Sequence, residues 1–452
     1  MNRETLTALY LKEVASSGAA AAELVGADAH TDLIRRLPPE RFLSRPLFLG
    51  AAERDQLHAD LENLRSALVS LPGRLFGGDL AAFARAVGLN DVQVSAVLRS
   101  RGTSVTRQTR ADLYTDHTGF RLLEFNMGST LGGMDNADMV RAYLSHPVLA
   151  GFAEAHGLGY TDTMREQVRN MFVESGFVPD SFPMVALTDW PSSYETMAPY
   201  MRQFTARWRE LGLDAHPCQL GELEVRDGRV WLRDRPVDII SRMFLIEDLL
   251  ESPEAPGLMN PILDAAARGQ VKIFTPMDSE VYASKGALAM LSDERNRHLF
   301  DPHELVSLDR LLPWTRMVRP GPVTLENGRR VDLVEYALAH RDDLAIKPTL
   351  LHGGNGVLLG WHADTTEGVW RQQLTEALDG PYVVQRRIRP VLELFPGSDG
   401  TPVPWIVAWG VFTVFNGYGG VFARANTVDS GVGVINLGSG SSVGCALHVV
   451  AD

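Results

Sequence analysis

The sequence predicts an α/β fold of the α+β kind, divided into several domains. Three observations predict it. From about residue 180, short apolar strands alternate with amphipathic helices, the pattern of a partly parallel sheet with helices packed on it. Elsewhere strands come in pairs around tight turns, as antiparallel hairpins do. The length of 452 residues exceeds what one hydrophobic core holds, so two or three packed domains are expected.

The elements follow in order. Residues 1–100 read as a helical N-terminal segment. Glu53–Phe76 carries apolar residues at helical spacing, and Asp79–Asp91 reads as a short helix stopped by Gly88. A proline-rich break at Arg36–Gly50 separates them from the first helix. Residues 101–178 open with a β-hairpin over 108–126 and return to helix after Gly133. Residues 179–280 form a small α/β unit: a buried strand at Phe182–Trp190, an amphipathic helix at Ser192–Gly212, then strands around the Asp227–Gly228 turn. Residues 281–390 begin a second mixed unit, in which Leu344–Gly360 reads as strand, glycine-rich turn and strand. Residues 391–452 read as antiparallel strands around Asn416–Gly417.

Composition narrows the function. A formal net charge of −13 argues against a broad basic face for nucleic acid. The two cysteines, Cys218 and Cys445, are too few for a disulfide framework or a cysteine zinc site. No stretch has the length and apolarity of a membrane span, and the N-terminus lacks the apolar core of a signal peptide. A cytoplasmic location is therefore expected. The 43 basic residues include only Lys12, Lys272, Lys285 and Lys347. A lysine retained in so arginine-rich a chain is a candidate for a position that wants a compact point charge.

The hairpin carries the first constellation. Glu124 and Asn126 are two apart on a strand and share a face. With His117–Gly119 as a three-residue loop and Gly119 at positive φ, Asp116 lies opposite Phe120, Asp112 opposite Glu124 and Arg110 opposite Asn126. Two carboxylates so placed repel unless a cation lies between them. With the amide oxygen of Asn126 they make a hard oxygen site suited to magnesium. A surface hairpin with solvated charges is the alternative, and a one-residue slip would turn Asp112 away.

Three further elements matter. Lys347 ends a strand, and the loop His352, Gly353, Gly354, Asn355, Gly356 follows, its backbone N–H groups free to approach phosphate oxygens. A glycine-rich hairpin turn explains the same residues. Lys285 opens a helix, as a phosphate-facing charge or a solvated first-turn lysine. The strand Tyr382–Arg386 leads through Gln385 into Arg386, Arg387 and Arg389, an apolar edge for an adenine with charge beside it or, in part, plain surface charge.

Together these pieces resemble the ATP-grasp superfamily. Its metal signature is an R-x-D strand, a turn, and E-x-N before a small-residue loop; here these are Arg110–Asp112, Glu124–Asn126 and Gly128–Thr130. Lys285 and Lys347 match the two nucleotide-contacting lysines, His352–Val357 the mobile phosphate loop, Tyr382–Ile388 the strand into the adenine hinge, and Leu311–Val318 the segment between the lysines. The metal signature comes before the lysines, which is the order of circularly permuted ATP-grasp ligases such as the glutathionylspermidine synthetases. The strand Arg235–Phe244 is similar to one that precedes the first lysine in that group. The resemblance covers roughly residues 105–440. Two departures stand out: Met127–Gly128–Ser129 replaces the usual proline after E-x-N, and the synthetases' amidase domain with its catalytic cysteine has no counterpart.

The resemblance implies a circularly permuted α+β ATP-grasp fold with a small Rossmann-like pre-ATP-grasp domain at 179–280. The permuted metal part at 101–178 and the strands of 391–452 would complete the ATP-grasp domain around the nucleotide lobe at 281–390. It further implies an ATP-dependent carboxylate–amine ligase acting through an acylphosphate, and is nearest to the actinobacterial natural-product peptide ligases, the pheganomycin peptide ligase among them. A bacterial secondary pathway such as antibiotic biosynthesis is then expected. ATP and magnesium, as two ions, are the implied cofactors, with Asp112, Glu124 and Asn126 as metal ligands. Lys285, Lys347, His352, Gly353, Gly354, Gly356, Gln385 and Arg387 would bind nucleotide. Arg110 and Arg424 would act on developing charge, and Ser129, Thr130, Arg242 and Asn436 would meet substrate. For Arg424 and Asn436 a glycine-turn context without a substrate role is equally open, as is strand capping for Arg242. The partners implied are a small carboxylate and an amine or short peptide, with no nucleic acid or membrane; a homodimer stands open. A kinase that stops after phosphoryl transfer, or an inactive nucleotide-binding regulatory module, are the rival readings.

Overall fold

The computed structural model describes residues 1–25, 41–102, 104–129, 131–178, 181–431 and 433–450. Thr130, and residues 36–40 of the expected proline-rich break, lie outside them.

The largest sheet has eight strands, and its main path runs Leu47–Leu49, Ser442–Val449, Gly417–Thr427, Pro402–Val414, Thr109–Asp116, Gly119–Met127. Its centre, Pro402–Val414, is rich in valine and aromatics and is buried from Val407 onward, as a strand covered on both faces requires. The strands of 101–178 and of 391–452 thus belong to one sheet although residues 179–390 separate them along the chain. The N-terminal hundred residues are not wholly helical. Leu47–Leu49, inside the expected break, adds a parallel edge strand beside Ser442–Val449. Arg45, fully buried, fixes this entry by donating to the carbonyls of Leu394 and Pro46 and pairing with Glu393 at 3.0 Å.

The helix Ala51–Phe76 packs across this region through Leu57, Leu61, Leu64, Leu68 and Leu71, the spacing its sequence advertised. Residues 184–274 form a parallel four-stranded sheet in the order Lys272–Phe274, Ile239–Arg242, Met184–Asp189, Asp214–Gln219. The helix Pro191–Glu210 crosses over between the two strands Met184–Asp189 and Asp214–Gln219. A third sheet, antiparallel, runs Thr315–Met317, Tyr382–Arg386, Leu344–Pro348, Leu358–Leu359. Among the described residues no helix is long and apolar enough to cross a membrane.

The hairpin departs from its expected turn in an instructive way. The connection is two residues, His117–Thr118, so Asp116 faces Gly119 and Thr115 faces Phe120. The Asp116 carboxylate accepts from the Thr118 N–H at 2.7 Å and hydroxyl at 2.6 Å, closing the turn from the side chain. A shorter loop alone would slip the register, but a bulge at Leu123 restores it. Beyond the bulge Asp112 faces Glu124 and Arg110 faces Asn126, as the longer loop had also placed them.

Candidate functional site

The face of the hairpin holds three charged side chains, Arg110, Asp112 and Glu124, and the amide of Asn126. Arg110 grips Asp112 with two nitrogens, at 2.9 and 3.1 Å, and donates a third bond to the Leu131 carbonyl at 2.7 Å. Arg424, from the strand Gly417–Thr427, reaches the same Asp112 carboxylate at 2.7 Å. Glu124 lies 3.3 Å from the Lys285 ammonium. Burial works against the Glu124 charge, but Lys285, Arg110 and Lys347 outweigh it and hold this carboxyl far below its ordinary range. The two facing carboxylates are therefore compensated by protein cations. Two carboxylates and an amide on one face fit a hard divalent ion. Asn126 presents its amide nitrogen to Glu124 at 3.4 Å, so its oxygen becomes a ligand only after the amide turns over.

The bulge has a second consequence. Lys347 donates to the carbonyl of Leu123, the bulged residue, at 3.3 Å, and to Gln385 Oε1 at 2.5 Å. Burial, and then the Lys285 charge, lower the Lys347 ammonium to about 8, with Glu124 opposing. Lys285 begins the helix Lys285–Ser292, capped by the Ser284 side chain, and follows another helix, Asp278–Ala283. Its ammonium also donates to the Leu351 carbonyl at 3.0 Å, at the start of the glycine loop.

One pocket of about 110 Å³ collects most of these groups: Asp112, Glu124, Lys285, Lys347, Gly353, Gly354, Gln385, Arg387, Arg424 and Asn436 all line it. Arg387 stacks over Trp361 with its guanidinium 4.5 Å from the ring centre. Its two neighbours are committed elsewhere: Arg386 pairs with Glu326 and the Tyr336 hydroxyl, and Arg389 pairs with Asp343 at 2.6 Å.

Gly356, His352 and Arg242 stand apart from this pocket. Gly356 packs on Pro348, where a Cβ would meet Pro348 Cγ at 3.0 Å. His352 turns toward Glu247, 3.8 Å away, and burial lowers its imidazole. Asn436 donates to the Gly353 carbonyl at 3.1 Å, so the C-terminal loop clasps the glycine loop. Arg242 is fully buried on Glu280, the Thr275 carbonyl and the Phe244 carbonyl, and keeps one nitrogen without a partner beside Gly128.

Glu247 and Glu280 escaped the sequence reading. With His352 they bring ligand-type atoms within 4.8 Å of one another. Burial and the Glu280 charge raise the Glu247 carboxyl to about 7. Neither residue sits in a spaced motif, so sequence offered no signal beyond the proximity of Glu280 to Lys285.

Beside the polar pocket lies a larger cavity of about 520 Å³. Arg110, Arg424 and Ser129 stand on its wall, and Arg424 borders both spaces. Leu187, Ser241, Met243, Phe274 and Thr275 bring the C-terminal ends of three parallel strands to the same cavity, the place where open α/β sheets bind ligands.

No protein-family model matches the sequence, and no curated protein matches it. Among solved structures, a glutathione synthetase-like effector from Globodera pallida in apo form superimposes with a TM-score of 0.53 at 12% identity, over 99% of this chain and 94% of that one. The chain therefore has a glutathione synthetase-like fold. A protein from Methylobacillus flagellatus KT, provisionally described as a gamma-glutamylcysteine synthetase, gives a TM-score of 0.42 at 13% identity, over 85% of this chain and 86% of that one. The second value is too low to carry an inference about fold.

Proposed function

We propose that this chain is an ATP-dependent carboxylate–amine ligase with a circularly permuted ATP-grasp arrangement. One observation carries the reading: four segments remote in sequence, around residues 112–124, 285, 347–354 and 385–387, converge on one pocket that alternates carboxylates with cations. The glutathione synthetase-like fold supports it.

In this reading the triphosphate lies along Lys285 and Lys347, with the N–H groups of Gly353 and Gly354 over it and the base toward Gln385 and Arg387. Asp112, Glu124 and a turned Asn126 would hold magnesium, which would supply charge neutralisation to the phosphates. Lys285 and Arg110 then exchange part of their pairing with carboxylates for pairing with phosphate. The pocket is smaller than the several hundred Å³ typical of ligand clefts, so the glycine loop moves outward on nucleotide entry. The substrate carboxylate lies on the cavity side of Arg110 and Arg424. It attacks the γ-phosphorus, ADP leaves, and an acylphosphate remains. The amine attacks the acyl carbon and inorganic phosphate leaves, with the two arginines facing the oxyanion charge. Closure of the loop keeps water from the acylphosphate. A place in bacterial secondary metabolism belongs to this proposal.

The test is product analysis with mass spectrometry over a panel of amino acids and short peptides. A ligase releases ADP and phosphate in equal amounts only with both acid and amine, and yields their amide. A stable phosphorylated product identifies a kinase instead.

A further inference from the structure

The 520 Å³ cavity is not lined like a site for a small polar metabolite. Its walls include Met197, Tyr200, Phe204, Trp208, Met243 and Phe422. Tyr200, Phe204 and Trp208 descend one face of the helix Pro191–Glu210, the last two edge-to-face with ring centres 4.9 Å apart. Two kinds of charge interrupt this apolar lining. Arg110 and Arg424 stand on the wall, Arg424 also bordering the polar pocket, and Asp135 is a separate carboxylate.

Asp135 occupies the N-cap position of the helix Asn136–Leu144, yet its side chain makes no capping bond. Its Oδ1 is buried and has no hydrogen-bond partner. The nearby cation Arg207 is committed to Asp138 at 2.7 Å and Glu210 at 2.5 Å. An unpaired carboxylate oxygen in an apolar chamber is costly unless a bound group satisfies it. Burial, only partly opposed by Arg207, raises this carboxyl to about 7, as expected of a carboxylate without a counter-ion.

We infer that this cavity binds a substrate with a large hydrophobic body and a protonated amine, the amine resting on Asp135 and the body on the Tyr200–Phe204–Trp208 face. Hydrophobic amino acids are the class that also offers a carboxylate to Arg110 and Arg424. The inference rests on the ligase reading for the meaning of that carboxylate end, but amine binding at Asp135 is measurable without nucleotide.

The experiment titrates the full chain calorimetrically, in the absence of nucleotide, with L-phenylalanine, 2-phenylethylamine and 3-phenylpropanoate. These share the aromatic body and differ in the charged groups. A parallel titration with Mg·ATP reports on the nucleotide pocket alone. The two amines are expected to bind, and the propanoate roughly tenfold or more weakly, the scale of one buried charge pair. Asp135→Asn, isosteric and checked for folding by thermal unfolding and Mg·ATP binding, should reduce the amines to the level of the propanoate. Equal binding of propanoate and amines, an amine preference that survives Asp135→Asn, or no amine binding at millimolar concentration overturns the inference. Absence of Mg·ATP binding by the parent overturns the ligase reading and leaves the amine titrations to decide this one.

Discussion

Lys285 Nζ lies 3.3 Å from Glu124 Oε2 and donates to the Leu351 carbonyl at 3.0 Å. One ammonium thus joins the hairpin to the glycine loop. Lys285→Met is expected to weaken ATP binding by roughly 10- to 100-fold, the worth of one charge-assisted bond. Lys285→Arg should not restore it, because a planar fork does not fit a compact buried position. Titration with Mg·ATP measures both, and unchanged affinity in the methionine variant contradicts this role.

Gly354 is held at φ 83°, and a Cβ there would meet Val434 Cγ1 at 2.7 Å. Gly354→Ala therefore carries left-handed strain of about 1 to 2 kcal/mol as well as a clash. Roughly tenfold loss in kcat/KM for ATP is expected, with little change in Tm because the loop lies outside the core. Adding Val434→Ala removes the clash but not the strain, so steady-state kinetics should show partial recovery.

Asp135 makes stability depend on pH. Its folded pKa of about 7 lies above the unfolded value, so its favourable contribution is complete below about pH 4 and lost as pH rises through 7. Asp135→Asn removes that loss. The variant should be more stable than the parent at pH 8 by about 1 to 3 kcal/mol, with the advantage fading as pH falls to 4. Thermal melts of both proteins across pH 4–8, without ligand, measure the difference. A constant difference would show that the Asp135 carboxyl titrates alike in the folded and unfolded chain.

Arg45 anchors the N-terminal segment to the main sheet through Glu393 and stacks over Phe395 at 4.3 Å. Arg45→Ala is expected to destabilise the protein by about 3 kcal/mol, since it strands a carboxylate and two carbonyls. The double variant with Glu393→Ala should cost less than the sum of the single variants in chemical denaturation.

The polar face of the hairpin was legible because strand side chains alternate with period two, which puts Asp112, Glu124, Arg110 and Asn126 together once the pairing is known. The pairing itself was right for a different reason than the sequence suggested: a shorter turn and a bulge cancel, and no residue type at Leu123 announces a bulge. The glycine loop was legible from Gly353, Gly354 and Gly356, but its clasp by Asn436 is a tertiary contact between segments remote in sequence. The amphipathic period of Pro191–Glu210 was plain, yet period alone cannot say whether Tyr200 and Phe204 face a core or a cavity. Asp135, Glu247 and Glu280 draw their character from burial among distant neighbours, which local sequence does not encode.

The pocket joining Glu124, Lys285 and Lys347 is expected to bind a nucleoside triphosphate with magnesium. Calorimetric titration of ATP into the parent and the Lys347→Met variant, each with and without magnesium, tests it most directly. Magnesium-dependent binding by the parent and at least roughly tenfold weaker binding by the variant are expected. Magnesium-independent binding that Lys347→Met leaves unchanged, or no ATP binding by the parent, contradicts it.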